Sequence, residues 1–171
     1  VRIVAGQWRG RLIKAPPDER VRPTSDRVRE AWMSIVNPSL TDAKVIDLFA
    51  GSGALGLEAL SRGAQWVDFV ETAPQALRAL LANAELLGAS RVMAVHRRDA
   101  IDFLRSLERD SYDVAFADPP YRLGFSEQVA QRWLEVPFAR VLGVEHASSE
   151  AMPEGGDTRR YGDTAITFYR A

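Results

Sequence analysis

An α/β fold with a mostly parallel sheet and helices on both faces is what this sequence predicts, and three observations lead to it. From residue 45 onward, short apolar runs alternate with segments whose apolar residues recur at helical spacing, the pattern of strands joined by crossover helices. A glycine-rich stretch, Gly51-Ser-Gly53-Ala-Leu-Gly56, stands at the junction of the first such strand and helix. Finally, 171 residues with 46% hydrophobic content suffice for one substantial core but not for two enzyme-sized domains.

Taken in order, Arg2-Ile-Val-Ala-Gly and Arg11-Leu-Ile-Lys-Ala predict two short strands around a turn from Gly6 to Gly10, ended by Pro16-Pro17. This is a hairpin arm. In Arg22-Pro-Thr-Ser, Thr24 or Ser25 can cap a helix whose apolar positions Val28, Ala31, Trp32 and Ile35 follow at helical spacing and which Pro38 closes. Strands are predicted over 45–49, 66–71, 92–96, 112–117 and 140–145, with helices near 53–62, 73–87, 99–107 and 125–135. Two further runs, from Thr158 and from Thr164, surround Gly162-Asp163, a pair suited to an antiparallel hairpin. The total is seven strands. Residues 1–38 then form a basic hairpin-and-helix arm, and 39–171 the main domain.

Composition excludes several function classes. There is no cysteine, so disulfide frameworks and thiolate metal sites are ruled out, and with only His96 and His146 no zinc site or other metal centre is expected. No apolar run approaches a membrane span and no signal peptide opens the chain, so a soluble, cytoplasmic protein is expected, and a small enzyme with no obvious apolar patch is expected to be a monomer. The net charge of -1 conceals an asymmetry: residues 1–29 hold eight basic and three acidic side chains, the remainder 14 and 20. A basic arm on an acidic body suits a polyanion docked at one end, although a merely solvated arm has the same composition.

The run Asp47-Leu-Phe-Ala-Gly51-Ser-Gly53-Ala-Leu-Gly56 places the spacing G-x-G-x-x-G between strand and helix, where glycine lets a ligand approach the backbone and the helix start offers free amides. Glu71, 20 residues after Gly51, ends the second strand where a carboxylate can accept from ribose hydroxyls. A nicotinamide dinucleotide and S-adenosylmethionine satisfy that much equally. Asp47 favours the second, because a carboxylate there can meet an ammonium group but would repel a pyrophosphate. Asp99, past the third strand, can accept an adenine amino group beside the Ala100 backbone amide; alternatively it is a helix cap.

The fourth strand runs into Asp118-Pro119-Pro120-Tyr121, at the carboxyl edge where ligands of open parallel sheets lie. Amino nitrogens on nucleic-acid bases are poor nucleophiles because their lone pair is delocalised into the ring. Asp118 and a carbonyl of the rigid diproline can accept the two amino hydrogens and aim the lone pair at a methyl donor. Tyr121 can stack on a base taken out of its helix or loop. The bland alternative is a proline turn with a packing tyrosine.

At these residues the chain resembles a known family. Its class I methyltransferase motifs, its beginning, Arg2-Ile-Val-Ala-Gly, Arg9-Gly-Arg11 and Arg22-Pro-Thr-Ser-Asp-Arg-Val-Arg-Glu30-Ala, and its end, Val144-Glu-His146 and Arg160–Tyr169, are similar to the bacterial RsmD-type 16S rRNA (guanine-N2)-methyltransferases. The resemblance covers nearly the whole chain. It implies a Rossmann-like class I fold and S-adenosylmethionine as donor, held by Asp47, Phe49, Gly51, Ser52, Gly53, Glu71, Asp99 and Ala100. It further implies catalysis by Asp118, Pro119, Pro120 and Tyr121. The expected RNA contacts are Arg2, Arg9, Arg11, Arg22, Arg27 and Arg29, and the expected partner is 16S rRNA in the small ribosomal subunit or its assembly intermediate. Ala31-Trp-Met-Ser stands where the family has a Leu-Phe-Asn-type segment, and the stretch from Pro137 to Ala151 is compressed. The rival readings are a DNA adenine-N6 methyltransferase, which needs a recognition domain 171 residues leave no room for, a nicotinamide-dependent reductase, and a non-catalytic RNA-binding relative, which needs neither Asp118 nor Tyr121.

Overall fold

The computed structural model describes residues 1–15 and 26–171. Helix α1 (Asp26–Val36) passes through a 3-10 turn at Asn37–Ser39, which contains Pro38, into β1 (Lys44–Leu48). Then follow α2 (Ala54–Ser61), β2 (Trp66–Val70), α3 (Pro74–Leu87), β3 (Met93–His96), α4 (Ala100–Arg105), β4 (Tyr112–Ala117), α5 (Phe125–Glu135), β5 (Ala139–Ala147), β6 (Asp157–Tyr161) and β7 (Thr164–Arg170). They build one seven-stranded sheet in the order β3-β2-β1-β4-β5-β7-β6. The first five strands are parallel and β7 lies antiparallel between β5 and β6. This is the seven-stranded Rossmann-like sheet expected.

Two elements differ from expectation by more than one residue at an end. Strand β5 runs beyond 140–145 because β7 pairs along it from Val141↔Arg170 to Ala147↔Thr164. Helix α4 is shorter than 99–107, since Ser106 and Leu107 turn their amides to Phe103 and Leu104 and close it in tight turns.

Strand alternation divides the core into two layers. Val45 of β1, Phe69 of β2 and Phe116 of β4 pack with α1, α2 and α3, whereas Ile46, Leu48, Val70 and Ala115 pack with α4 and α5. Gly143 of β5 makes room for α1: a Cβ there would lie 2.4 Å from Trp32 Nε1. The indole meets Phe116 edge to face at 5.6 Å, an arrangement worth about 0.5–1.5 kcal/mol beyond its buried area.

The arm folds back on itself as a minimal hairpin. Among the described residues it has one antiparallel bridge, Arg2↔Leu12, flanked by Ile3 N donating to the Arg11 carbonyl and Ile13 N to the Val1 carbonyl. It does not extend into two full strands because its other amides turn to the arm's own turn and to the body of the protein. The fully buried Glu58 carboxylate of α2 accepts from Val4 N (2.9 Å) and Ala5 N (3.2 Å), Ser61 Oγ from Trp8 N (3.0 Å), and Asn83 Oδ1 of α3 from Lys14 N (2.7 Å). Ile3 and Ile13 enter the same core layer as Trp32 and Phe69, each burial contributing roughly 1.5–3 kcal/mol. Pro16, Pro17, Arg22 and the expected caps Thr24 and Ser25 lie outside the described residues.

Candidate functional site

The alternation that builds the core also aligns four acidic residues. Asp47 shares the face of Val45, and carried along each strand the same parity puts Glu71 with Phe69, Asp118 with Phe116 and Glu145 with Val141. In sheet order β2-β1-β4-β5 they form a row at the carboxyl ends. Asp47 is the most enclosed, 1% exposed. Its Oδ2 accepts from Gly56 N at 3.0 Å, while Oδ1 is buried with no hydrogen-bond partner among the described residues. Burial pushes its pKa well above the ordinary carboxylate value, the Gly56 amide opposes this, and the charges of Asp118 and Glu71 add to the rise. Among the described residues no group of His, Asp or Glu is arranged to hold a metal ion.

The glycine loop wraps the end of β1. Gly53 has φ +85° and a Cβ there would lie 2.3 Å from Leu80 Cδ1, while a Cβ on Gly56 would lie 2.3 Å from Phe69 Cε1. Gly56 lets α2 lie close on the sheet, and Gly53 lets α3 close against the loop. At Gly51, φ +58°, an added Cβ meets nothing within 4 Å, so this glycine faces open space. Its amide donates to Glu71 Oε1 at 2.8 Å, and Glu71 Oε2 accepts from Thr72 N and Ala73 N. Phe49 takes a positive φ of 58°, a strained value for a bulky residue, with its ring 5.7 Å from that of Phe125. Ser52 is buried and its carbonyl accepts from Asn83 Nδ2 at 3.0 Å. Asp99 is exposed and caps α4, its Oδ1 accepting from Asp102 N at 3.0 Å; the neighbouring Ala100 is buried.

In the turn after β4, Asp118 is partly exposed, Pro119 buried and Pro120 exposed. The Tyr121 hydroxyl donates to Glu145 Oε2 at 2.7 Å and lies 3.0 Å from Thr164 Oγ1. Burial pushes the phenol pKa far above its ordinary value; the Thr164 hydrogen bond opposes, and the Glu145 and Asp118 charges add. One residue on, Arg122 N donates to Glu150 Oε1 at 3.0 Å, and Glu150 Oε2 accepts from Ser126 Oγ at 3.0 Å. Sequence reading missed Glu145, Thr164, Glu150 and Asn83 as neighbours of the site. Glu145, in Val144-Glu-His146, and Thr164, in Arg160–Tyr169, lie in stretches that carry the family resemblance, without a role attached; Glu150 and Asn83 carried no sign.

The basic residues divide differently from expectation. Arg29 is 1% exposed; its guanidinium donates to the Arg2 carbonyl and lies 3.8 Å from Glu58 Oε1. The expected RNA contact at Arg29 is therefore corrected: this side chain ties α1 to the arm and has no exposed donor. Arg2, Arg9, Arg11 and Arg27 are exposed, and Arg22 lies outside the described residues. Arg11 donates to the Leu86 carbonyl at the end of α3, and Gln7 N, in the arm's turn, to the Ser61 carbonyl at the end of α2. Since both helices start at the carboxyl edge of the sheet and run away from it, the arm's turn that carries Arg9 lies about 12 Å from that edge, the length of α2, and the Arg11 guanidinium about 20 Å, the length of α3.

No helix of the described residues is long and apolar enough to cross a membrane. The family model described as conserved hypothetical protein 95 matches residues 1–170. A relative in Escherichia coli K12, ribosomal RNA small subunit methyltransferase D, is 41% identical over 128 residues, covering 75% of this chain and 64% of its own length. The chain thus spans somewhat under two thirds of that relative. The Haemophilus influenzae protein of the same name is 34% identical over 177 residues, covering 99% of this chain and 92% of its own. A solved structure of a hypothetical protein from Thermus thermophilus is 30% identical and superposes with a TM-score of 0.86 over 100% of this chain and 99% of that one.

Proposed function

The chain belongs to the conserved hypothetical protein 95 family, alongside the ribosomal RNA small subunit methyltransferases D, and from that membership we propose that it moves a methyl group from S-adenosylmethionine to the exocyclic N2 of a guanine in 16S rRNA. One observation carries the reading: a glycine loop open at Gly51 and the Asp118–Tyr121 turn flank a buried carboxylate whose Oδ1 has no partner among the described residues. An unpaired buried carboxylate oxygen is costly unless a cationic ligand meets it. The ammonium of the methionine moiety is such a ligand.

On this reading Asp47 takes the ammonium and Glu71 the ribose hydroxyls. Asp99 takes the adenine amino group with the Oδ2 its capping bond leaves over, beside the Ala100 amide. Phe49, Gly51, Ser52 and Gly53 shape the loop around the donor. The sulfonium supplies an already activated methyl group, so positioning and electrostatics carry the rest. Asp118 and a diproline carbonyl accept the two hydrogens of N2, aim its lone pair, and Asp118 takes the proton that must leave as the N–C bond forms. Tyr121 keeps its proton and acts as a platform for the extruded base rather than as a base itself.

For the partner, the exposed arginines at the arm's turn, a helix length away from the pocket, favour a large RNA surface, the small subunit or its assembly intermediate, over a short stem. Labelled donor offered in parallel to unmodified small subunits, protein-free rRNA and duplex DNA tests this. N2-methylguanosine from the subunits is expected, and Asp118→Ala should abolish it while donor affinity stays within about threefold, because the methionine contacts lie at Asp47 and Glu71. Label in DNA adenine, or turnover retained by Asp118→Ala, overturns the reading.

A further inference from the structure

The segment Val144-Glu-His146 stands out in the sequence, yet the reaction as drawn gives it no task. Its middle residue, Glu145, is a carboxylate only 4% exposed, on a strand whose other positions on that face hold small or apolar side chains such as Val141, Gly143 and Ala147. A buried carboxylate in such surroundings is costly and is retained only where donors meet it. One of those donors is the Tyr121 hydroxyl, at 2.7 Å.

The direction of the hydrogen bonds follows from the chemistry. A phenol has one proton, and at 2.7 Å from a carboxylate oxygen that proton is committed to Glu145. The Thr164 hydroxyl, 3.0 Å away, then supplies the bond to the phenol oxygen. Thr164 is the β7 partner of Ala147, two residues beyond Glu145, so the two anchors belong to one antiparallel ladder. The order is Thr164 to Tyr121 to Glu145. Two fixed partners on the rigid part of the sheet determine where the phenol oxygen sits and so restrict how the ring can swing about its own Cβ. Immediately afterwards the chain is tied again, Arg122 N to Glu150, so the ring hangs from a turn held on both sides.

We propose that Glu145 and Thr164 are positioning residues for base capture, acting through the Tyr121 hydroxyl to hold its ring as a preset face for the extruded nucleotide. The inference rests on the reading of Tyr121 as that platform. It assigns a task to the last parallel strand and the terminal hairpin, which otherwise only complete the sheet. It also says that the hydroxyl matters: Tyr121→Phe keeps a stacking surface but loses both anchors.

A double-mutant cycle with Tyr121→Phe and Glu145→Leu tests this in two readouts. In thermal unfolding of the free protein the two substitutions should be non-additive, since each removes the same hydrogen bond. In methyl transfer to small subunits, each single variant should lose about tenfold in kcat, the size expected of one charge-assisted hydrogen bond, the double variant should lose no more than either, and donor affinity should not move. Glu145→Gln, which still offers an oxygen to the phenol, should recover most of what Glu145→Leu loses. Thr164→Val should fall between wild type and Tyr121→Phe. Additive losses in kcat, a Glu145→Leu rate equal to wild type, or no recovery with Gln would each overturn the proposal. A wild-type protein that transfers no methyl group to any RNA would defeat the functional reading instead, and the unfolding cycle would still report whether the contact exists.

Discussion

Replacing Asp47 by Asn should make the free protein more stable at neutral pH while weakening donor binding. The carboxylate is 1% exposed, one oxygen receives a single backbone amide, the other receives nothing, and both Asp118 and Glu71 push against its charge. An asparagine keeps an acceptor for Gly56 N and presents its amide hydrogens toward those two neighbouring charges. Relieving one unsatisfied buried group contributes about 1–3 kcal/mol, and at this chain length each kcal/mol shifts Tm by about 2–4 °C. A rise of about 2–12 °C is expected. The sign with pH follows from the raised pKa of Asp47. Between the ordinary carboxyl value and the raised one, the folded state holds a proton that the unfolded state has released, so wild-type stability falls as pH rises through that window and the loss persists above it. Below about pH 4 both states are protonated and the advantage of the variant should vanish. Donor titration by calorimetry should show a loss of about 10- to 100-fold, because the ammonium forfeits a charge-assisted partner. A variant less stable than wild type at pH 8, or one binding the donor as tightly, would refute this account of the buried carboxylate.

Two further outcomes follow from the arm. Glu58→Ala removes the acceptor shared by Val4 N, Ala5 N and Arg62 Nε and leaves Arg29 without its buried anion, so a loss of about 3–5 kcal/mol is expected, read as a Tm drop of about 6–20 °C. Hydrogen exchange should accelerate first at the Val4 and Ala5 amides; protection there equal to wild type would show that the arm is held by other contacts. Reversing the charges of the exposed Arg9 and Arg11 should weaken RNA binding and reduce the slope of log affinity against log salt by about 1.5–2, two phosphate contacts' worth. An unchanged slope moves the docking face off the arm's turn.

What the sequence by itself determined was everything set by neighbours along the chain. Strands and helices show as periods of two and 3.6, so their order, number and approximate limits were legible, as were the glycine loop and the Asp118–Tyr121 turn, which stand at strand ends whatever the sheet order. The parity that lines up Asp47, Glu71 and Asp118 was implicit in the same pattern. Only the tertiary structure decided what depends on distant partners. Arg29 reads as one more cation of a basic arm, yet Glu58, 29 residues away, claims it; the arm reads as a free-standing hairpin, yet half of its bonded amides are claimed by α2 and α3. Tyr121 reads as a free platform, yet Glu145 and Thr164 hold it from 24 and 43 residues further on. A charge or an amide in a sequence declares what it can bond to but not what will be within 3 Å of it. That is settled by how the layers close over the sheet, where each buried polar group must find a partner that no local period announces.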